Sequence, residues 1–402
     1  MEFNPSKEEK TPAGVWLLLS AQVASQMGDA AFGVLLLWSV LGMSDSKAVV
    51  GAVATLNYLP ILLFGMVGGL AADRFPRRGL MVASDGARAA VAFSVPVLGH
   101  FGLLDPWVLA AAGFSLFTAS AFFNPARDAY IPSLVDKGDL VRANALIQVS
   151  VPMGWLFGPA LCSLFLKWVS PENLMGGVGI LFLVSVAFLM ALPGFRAEKR
   201  EVAPPVKAIL EGLSAAWSDV RLRWLLVLTA VDNLFIMGPA IVGTPLLVKG
   251  PYGGTGTDYA LLEAALAAGV FLGLPLTAWL NRRVGQGKVL IAGIFLDGIT
   301  YLPLLWIDHL WAAGVAIGLH GISIPLITVT RSSLIQRIAP PEQLGRIFAF
   351  VGITVLGLTA ASSGLTGLIA TVVPVKVIFG VIAIGAALCG PAAWMSKAFR
   401  EA

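Results

Sequence analysis

The chain has 402 residues, 57% of them hydrophobic and 12% charged, with a mean hydropathy of +0.84. A soluble domain carries about 25% charged residues, so this depletion along the whole length excludes a water-solvated globule and points to lipid as the solvent. The net charge of +4 sits in short loops between apolar runs, which speaks for a membrane surface and against nucleic acid.

Apolar runs and their polar stops predict twelve transmembrane helices, near 13–41, 48–72, 79–99, 106–123, 143–168, 174–192, 224–248, 259–280, 289–307, 310–330, 344–371 and 375–395. In the first, Gln22, Gln26 and Asp29 recur at steps of four and three and share one face, a polar stripe suited to a cavity wall. The second closes on Gly65-Met-Val-Gly-Gly69-Leu-Ala-Ala-Asp73-Arg74-Phe-Pro-Arg77-Arg78, where Gly65 and Gly69 offer a bare face for helix packing. Asp85 and Arg88 in the third are three apart, the spacing of a local ion pair or gate network, and are expected near the inner end. The fifth contains Gly154, Gly158 and Pro159; the glycines permit close approach and the proline frees a carbonyl and bends the helix.

A polar, proline-bearing passage at 193–223 reads as a cytoplasmic linker between an N-terminal half, 1–192, and a C-terminal half, 224–402. Within it Ile209, Leu210, Leu213 and Trp217 predict an amphipathic helix on the membrane face. Asp232 and Asn233 follow in the seventh span, Glu263 at the outer end of the eighth as an interfacial residue, Asp297 in the ninth and His320 in the tenth. Three histidines and two cysteines, both cysteines in apolar runs, make no metal constellation, and no cofactor is expected.

Basic residues set the orientation. With the N-terminus inside, the inner segments hold 22 of the 27 Lys and Arg, and the outer ones only Lys47, Lys167, Lys249 and Lys376. This predicts that both termini are cytoplasmic. A shift of 204 carries Arg127 and Arg142 onto Arg331 and Arg346, Gly65 and Gly69 onto Gly269 and Gly273, and Asp29 onto Asn233. The matches read as an internal duplication of a six-helix unit.

The twelve spans, with the loop Gly69-Leu-Ala-Ala-Asp73-Arg74-x-x-Arg77-Arg78 after the second, resemble the major facilitator superfamily of secondary transporters over nearly the whole chain. The resemblance implies an all-α integral membrane fold of two six-helix bundles rocking about a central site, working as a monomer in a bacterial inner membrane. Gly154-Trp-Leu-Phe-Gly158-Pro159 resembles the antiporter element of that family, although Cys162 and Ser163 stand where further glycines are usual. The passage from Phe123-Asn-Pro-Ala-Arg127-Asp128 to Arg142 is similar to a subgroup of drug exporters, siderophore exporters and lysophospholipid carriers. On this likeness Asp73, Arg74, Arg77, Arg78, Asp85, Arg88, Arg127 and Arg331 are expected at a cytoplasmic gate. Proton-coupled members often carry an Arg deep in the fourth span, whereas Trp107 to Phe123 holds no charge.

An ionisable group inside an apolar span costs about 3 kcal/mol on insertion scales and therefore marks function or compensated structure. Asp29, Asp232 and Asp297 are the candidate proton-coupling groups, since a carboxyl withdrawn from water favours its neutral form and can exchange a proton; hydrogen-bonded structural acids are the alternative. Gln22, Gln26, Asp29, Asn233 and His320 are expected to line a substrate cavity. The expected function is export of small amphipathic, drug- or siderophore-like compounds by alternating access and proton antiport. A lysophospholipid carrier of the same fold and a non-transporting receptor or scaffold are the alternatives; no catalytic triad, metal cluster or phosphate loop argues for an enzyme.

Overall fold

The structure, a computed structural model, describes residues 13–136, 139–194, 213–214, 217–340 and 343–400. Among the described residues twelve helices are long and apolar enough to cross a membrane: α1 (Ala13–Met43), α2 (Lys47–Arg74), α3 (Arg77–His100), α4 (Pro106–Ser133), α5 (Arg142–Phe165), α6 (Pro171–Met190), α7 (Val220–Lys249), α8 (Gly256–Val284), α9 (Gln286–Leu305), α10 (Leu310–Ile338), α11 (Arg346–Ile369) and α12 (Val375–Trp394). All-helical construction follows from the solvent, because lipid offers no partner to an unpaired backbone group. The bundle has a terminal face, where Ala13 and Arg400 lie, and a distal face opposite.

Two spans outrun their expected limits. The loop expected from Asn124 is helix to Tyr130 and a 3-10 turn over Ile131–Ser133, and α10 continues to Ile338. Arg331 therefore sits inside its helix, whereas Arg127 falls in the last turn of the α-helical part of α4. Asn124-Pro125 looks like a stop signal, but inside a bundle a proline removes only one hydrogen bond, and neighbours can use the freed carbonyl. Here that carbonyl is Ala121 O, four residues back, and it points at Gly68 of α2, where an added Cβ would lie 2.0 Å away.

That contact corrects the assignment of the α2 packing face. A Cβ on Gly69 would meet nothing within 4 Å, and one on Gly65 would meet only Ile61 of its own helix. At 100° per residue the buried stripe passes through Gly68 instead. Gly269 and Gly273 do pack, against Gly318 O and Ile322 O of α10. Gly154 and Gly158 lie on α1, against Gln26 and Met27 O, so the Gly-x-x-x-Gly-Pro element joins α5 to α1.

The helices of each half pair in the same scheme. α1 packs on α5 and α6, α2 on α4, and α3 on α4 and α6; α7 packs on α11 and α12, α8 on α10, and α9 on α10 and α12. Between the halves α2 runs along α11 and α5 along α8. The apolar packing divides unevenly. Toward the distal face a single core draws on both halves, from Leu35, Val53 and Phe182 to Tyr259, Leu304 and Phe379. Toward the terminal face there are two cores, one in α1–α6 around Phe123 and Tyr130, the other in α7–α12 around Leu226 and Leu334. The halves thus share one interior distally and keep separate interiors at the terminal side. The expected linker at 193–223, with its amphipathic helix, lies largely outside the described residues.

Candidate functional site

Each half holds a buried charge network near mid-membrane. In the first, Arg88 lies at the middle of the 24-residue α3, not near its end, and is 1% exposed. Its Nη1 donates to Asp85 Oδ1 at 2.9 Å and to Ser25 Oγ at 2.7 Å, and lies 3.7 Å from Asp29 Oδ2. Ser25 Oγ in turn donates to Asp85 Oδ1 at 3.1 Å. The guanidinium sits over the rings of Phe123 and Phe182, 5.0 and 5.6 Å from their centroids, a cation–π setting that replaces part of its lost hydration. Asp29 Oδ1, Asp85 Oδ2, Arg88 Nε and both polar atoms of the Gln22 amide have no partner among the described residues. Two carboxyls facing one guanidinium leave room for one more positive charge.

The face expected to carry Gln22, Gln26 and Asp29 splits. Gln22 is buried at 1% exposure, while Gln26 turns toward Gly154 of α5. The residue that completes the network is Ser25, which the sequence pattern did not single out; its position four before Asp29 on the same face was the available signal.

The second network uses α7, α9 and α10. Asp232 and Asp297 are near enough to influence each other, with Arg331 within electrostatic reach of Asp232, and Asp232 Oδ1 has no hydrogen-bond partner among the described residues. Ser323 Oγ donates to Asp297 Oδ1. His320 Nδ1 lies 3.5 Å from the same oxygen and 3.1 Å from the Asp297 carbonyl, beneath Tyr301, whose ring stacks on the imidazole at 3.8 Å. His320 is 2% exposed, so it supports Asp297 and does not line an open cavity. Asn233 is also turned away, its amide donating to Thr229 O of its own helix at 2.8 Å.

The networks correspond: an acid on the first helix of the half, Asp29 or Asp232, an acid on the third, Asp85 or Asp297, and one arginine. The arginine comes from α3 in one half and from α10 in the other.

At the terminal face the expected gate residues keep to their own half. Arg77 Nη1 donates to Ala129 O at 2.7 Å and Arg78 Nη1 to Leu192 O at 2.6 Å, closing the C-terminal ends of α4 and α6. Arg127 bonds Asp128 and Asn124 of its own helix. Asp73 and Arg74 form no hydrogen bond or ion pair among the described residues. None of these reaches across in this conformation.

The ties between halves lie at the distal side. Lys47 Nζ donates to Ala370 O, the carbonyl that follows α11, at 2.8 Å, and Lys249 Nζ donates to Leu41 O near the end of α1. Thr55 Oγ1 donates to Ala360 O at 3.0 Å, and Trp38 stacks on Tyr259 with centroids 6.0 Å apart. A third distal lysine, Lys376, bonds Asp308 within the second half and holds that carboxyl below its usual range.

Comparison with known proteins agrees with this architecture. The chain is 23% identical over 343 residues to macrolide efflux protein A of Streptococcus pyogenes, covering 84% of each. It is 25% identical over 363 residues to the multidrug efflux pump Tap of Mycolicibacterium fortuitum, covering 88% of this chain and 87% of the pump. The crystal structure of the nucleoside transporter NupG superposes with a TM-score of 0.75 at 12% identity over 94% of this chain and 98% of that one, a likeness of fold. The family described as transmembrane secretion effectors matches residues 8–400. With two matching six-helix halves, paired intramembrane acids and a match across almost its full length, this chain belongs to that family of major facilitator transporters.

Proposed function

We propose that the protein exports small amphipathic compounds from the cytoplasm by alternating access, driven by protons that return through the buried acids. The observation that carries this reading is the uneven packing: one shared core distally, two separate cores toward the terminal face. With the terminal face in the cytoplasm, as the positive-inside rule requires, such a molecule receives its cargo from inside. The efflux names of its relatives support the same direction.

In this cycle the Asp232–Asp297 pair holds the exchanged proton, and Asp29, at 18% side-chain exposure the most accessible acid of the first network, is a second carrier. Protonation neutralises a carboxyl, lowers the energy of moving it through an apolar setting and releases its arginine. Asp73 and the arginines of the α2–α3 loop then act at the cytoplasmic gate when the terminal side closes.

The test is transport by purified protein in proteoliposomes under an imposed pH gradient, with a cationic dye, a siderophore and a lysophospholipid compared side by side. Asp297→Asn is expected to abolish gradient-driven uphill transport while leaving passive exchange measurable. Full pH-driven transport in both Asp297→Asn and Asp29→Asn would remove the coupling assignment. Movement of lysophospholipid alone would favour the carrier of lipids.

A further inference from the structure

We infer that Glu263 is the anchor for an organic cation, an ammonium-bearing group of the cargo, in a site of aromatic rings assembled from both halves; this rests on the export reading. Glu263 lies within the α8 span, seven residues from Gly256 and about 10 Å from the distal end of the helix at 1.5 Å per residue. It is half-buried and makes no hydrogen bond or ion pair among the described residues. The acids of the two mid-membrane networks each have a cation or hydrogen-bond donor beside them: Arg88 for Asp29 and Asp85, Arg331 for Asp232, Ser323 and His320 for Asp297. An intramembrane carboxylate without such a partner is expensive to keep, and by default marks a place where a charge is received.

What surrounds it selects the kind of cation. The hydroxyls of Tyr58 from α2, Tyr259 from the turn before it and Tyr301 from α9 are within electrostatic reach of the carboxyl. Trp38 of α1 stacks on Tyr259. A bare metal ion needs several oxygen ligands at about 2.0–2.6 Å, whereas one carboxylate among aromatic rings suits a large, weakly hydrated cation that gains from ring faces.

The location gives the site a function in release. Trp38 also lines a recess of about 330 Å³ on the distal surface, together with Lys167, Trp168 and Thr255. Through Trp38, which stacks on Tyr259 one helical turn before Glu263, the site adjoins this distal recess. Trp38 and Tyr58 belong to the first half and Tyr259, Glu263 and Tyr301 to the second, so distal opening pulls the rings off the cation as it uncovers the exit. Tyr301 is within reach of Asp297 as well and stacks on His320, which connects occupancy of the site to the proton-holding pair.

The experiment is equilibrium binding of radiolabelled tetraphenylphosphonium to the purified full chain in detergent, with triphenylphosphine oxide as a neutral aromatic control. Glu263→Gln is expected to weaken phosphonium binding at least about tenfold while leaving the control unchanged, and Glu263→Asp to keep most of the affinity. Tyr259→Leu, with the carboxylate intact, is expected to weaken it about threefold to tenfold through loss of the ring. Unaltered phosphonium binding in a monodisperse Glu263→Gln protein, equal losses for the cation and the neutral control, or no binding by the wild type would each overturn the proposal. If Glu263-dependent binding is found but no gradient drives transport, the site stands and the export reading fails.

Discussion

Arg88 shows how a charge survives in the middle of a lipid-solvated bundle. It is enclosed by two carboxyls, a serine hydroxyl and two phenyl rings, and each partner answers for a part of the water it lost. Removing it leaves Asp85, itself fully buried, without its counter-charge, and breaking a buried pair from one side destabilises by about 3–5 kcal/mol. Arg88→Met is therefore expected to lower the thermal stability of the detergent-solubilised protein steeply, whereas Arg88→Met with Asp85→Asn is expected to recover more than half of the loss. Thermal unfolding of the two variants checks this; equal stability of single and double variants would show that the pair is not coupled. Arg88→Lys is not a conservative exchange, because one ammonium cannot keep the ring stacking and the forked contacts together.

At the scale of the helix, the α2–α4 contact turns on a single position. A side chain on Gly68 would collide with Ala121 O, backbone that cannot move aside, whereas a side chain on Gly69 enters open space. Gly68→Val is expected to abolish or severely reduce the yield of folded protein, and Gly69→Val to leave it near wild type, as read by size-exclusion profiles after expression. The reverse result would restore Gly69 as the packing residue. The glycine spacing in the sequence marked α2 as a packing helix but could not fix its rotation, since Gly65, Gly68 and Gly69 are all available and one residue turns the face by 100°. The inner end of α4 was placed too early for a related reason: an Asn-Pro step ends helices in water, while within a bundle the freed carbonyl packs against a glycine on the adjacent helix. The acids were legible because composition alone makes them conspicuous. Their partners were not, since Ser25, Ser323 and Tyr301 are ordinary residues until the fold brings them to Asp85, Asp297 and His320.

For the whole molecule, the four lysines that break the positive-inside pattern acquire a meaning the charge count did not hold. Two of them reach across the halves in opposite directions, Lys47 from the first half to the end of α11 and Lys249 from the second to the end of α1. Each places a cation on a helix C-terminus, where the macrodipole favours it. A charge-assisted bond of this kind contributes about 1.5 kcal/mol, so losing both shifts the balance between distally closed and distally open forms by roughly a hundredfold at most. In a background without Cys162 and Cys389, a Thr55→Cys thiol is expected to react with an impermeant maleimide at least severalfold faster in Lys47→Met/Lys249→Met than in the parent. An unchanged rate would mean that the apolar core alone holds the distal side shut. The duplication was readable from a shift of 204, and the matching helix pairs extend it to the whole fold; the conformation was not, because one sequence must serve both forms.

The division into one shared distal core and two terminal ones also makes the two closures respond to different physical variables. Opening the distal side exposes apolar surface to water, so that step carries a positive heat-capacity change and its equilibrium curves with temperature. If Asp73 and the arginines close the terminal side as proposed, that step takes place in water, is screened within about 10 Å in 0.1 M salt and follows ionic strength. Warming addresses one end of the carrier and salt the other, and a molecule with matching bundles is thereby thermodynamically lopsided along the membrane normal.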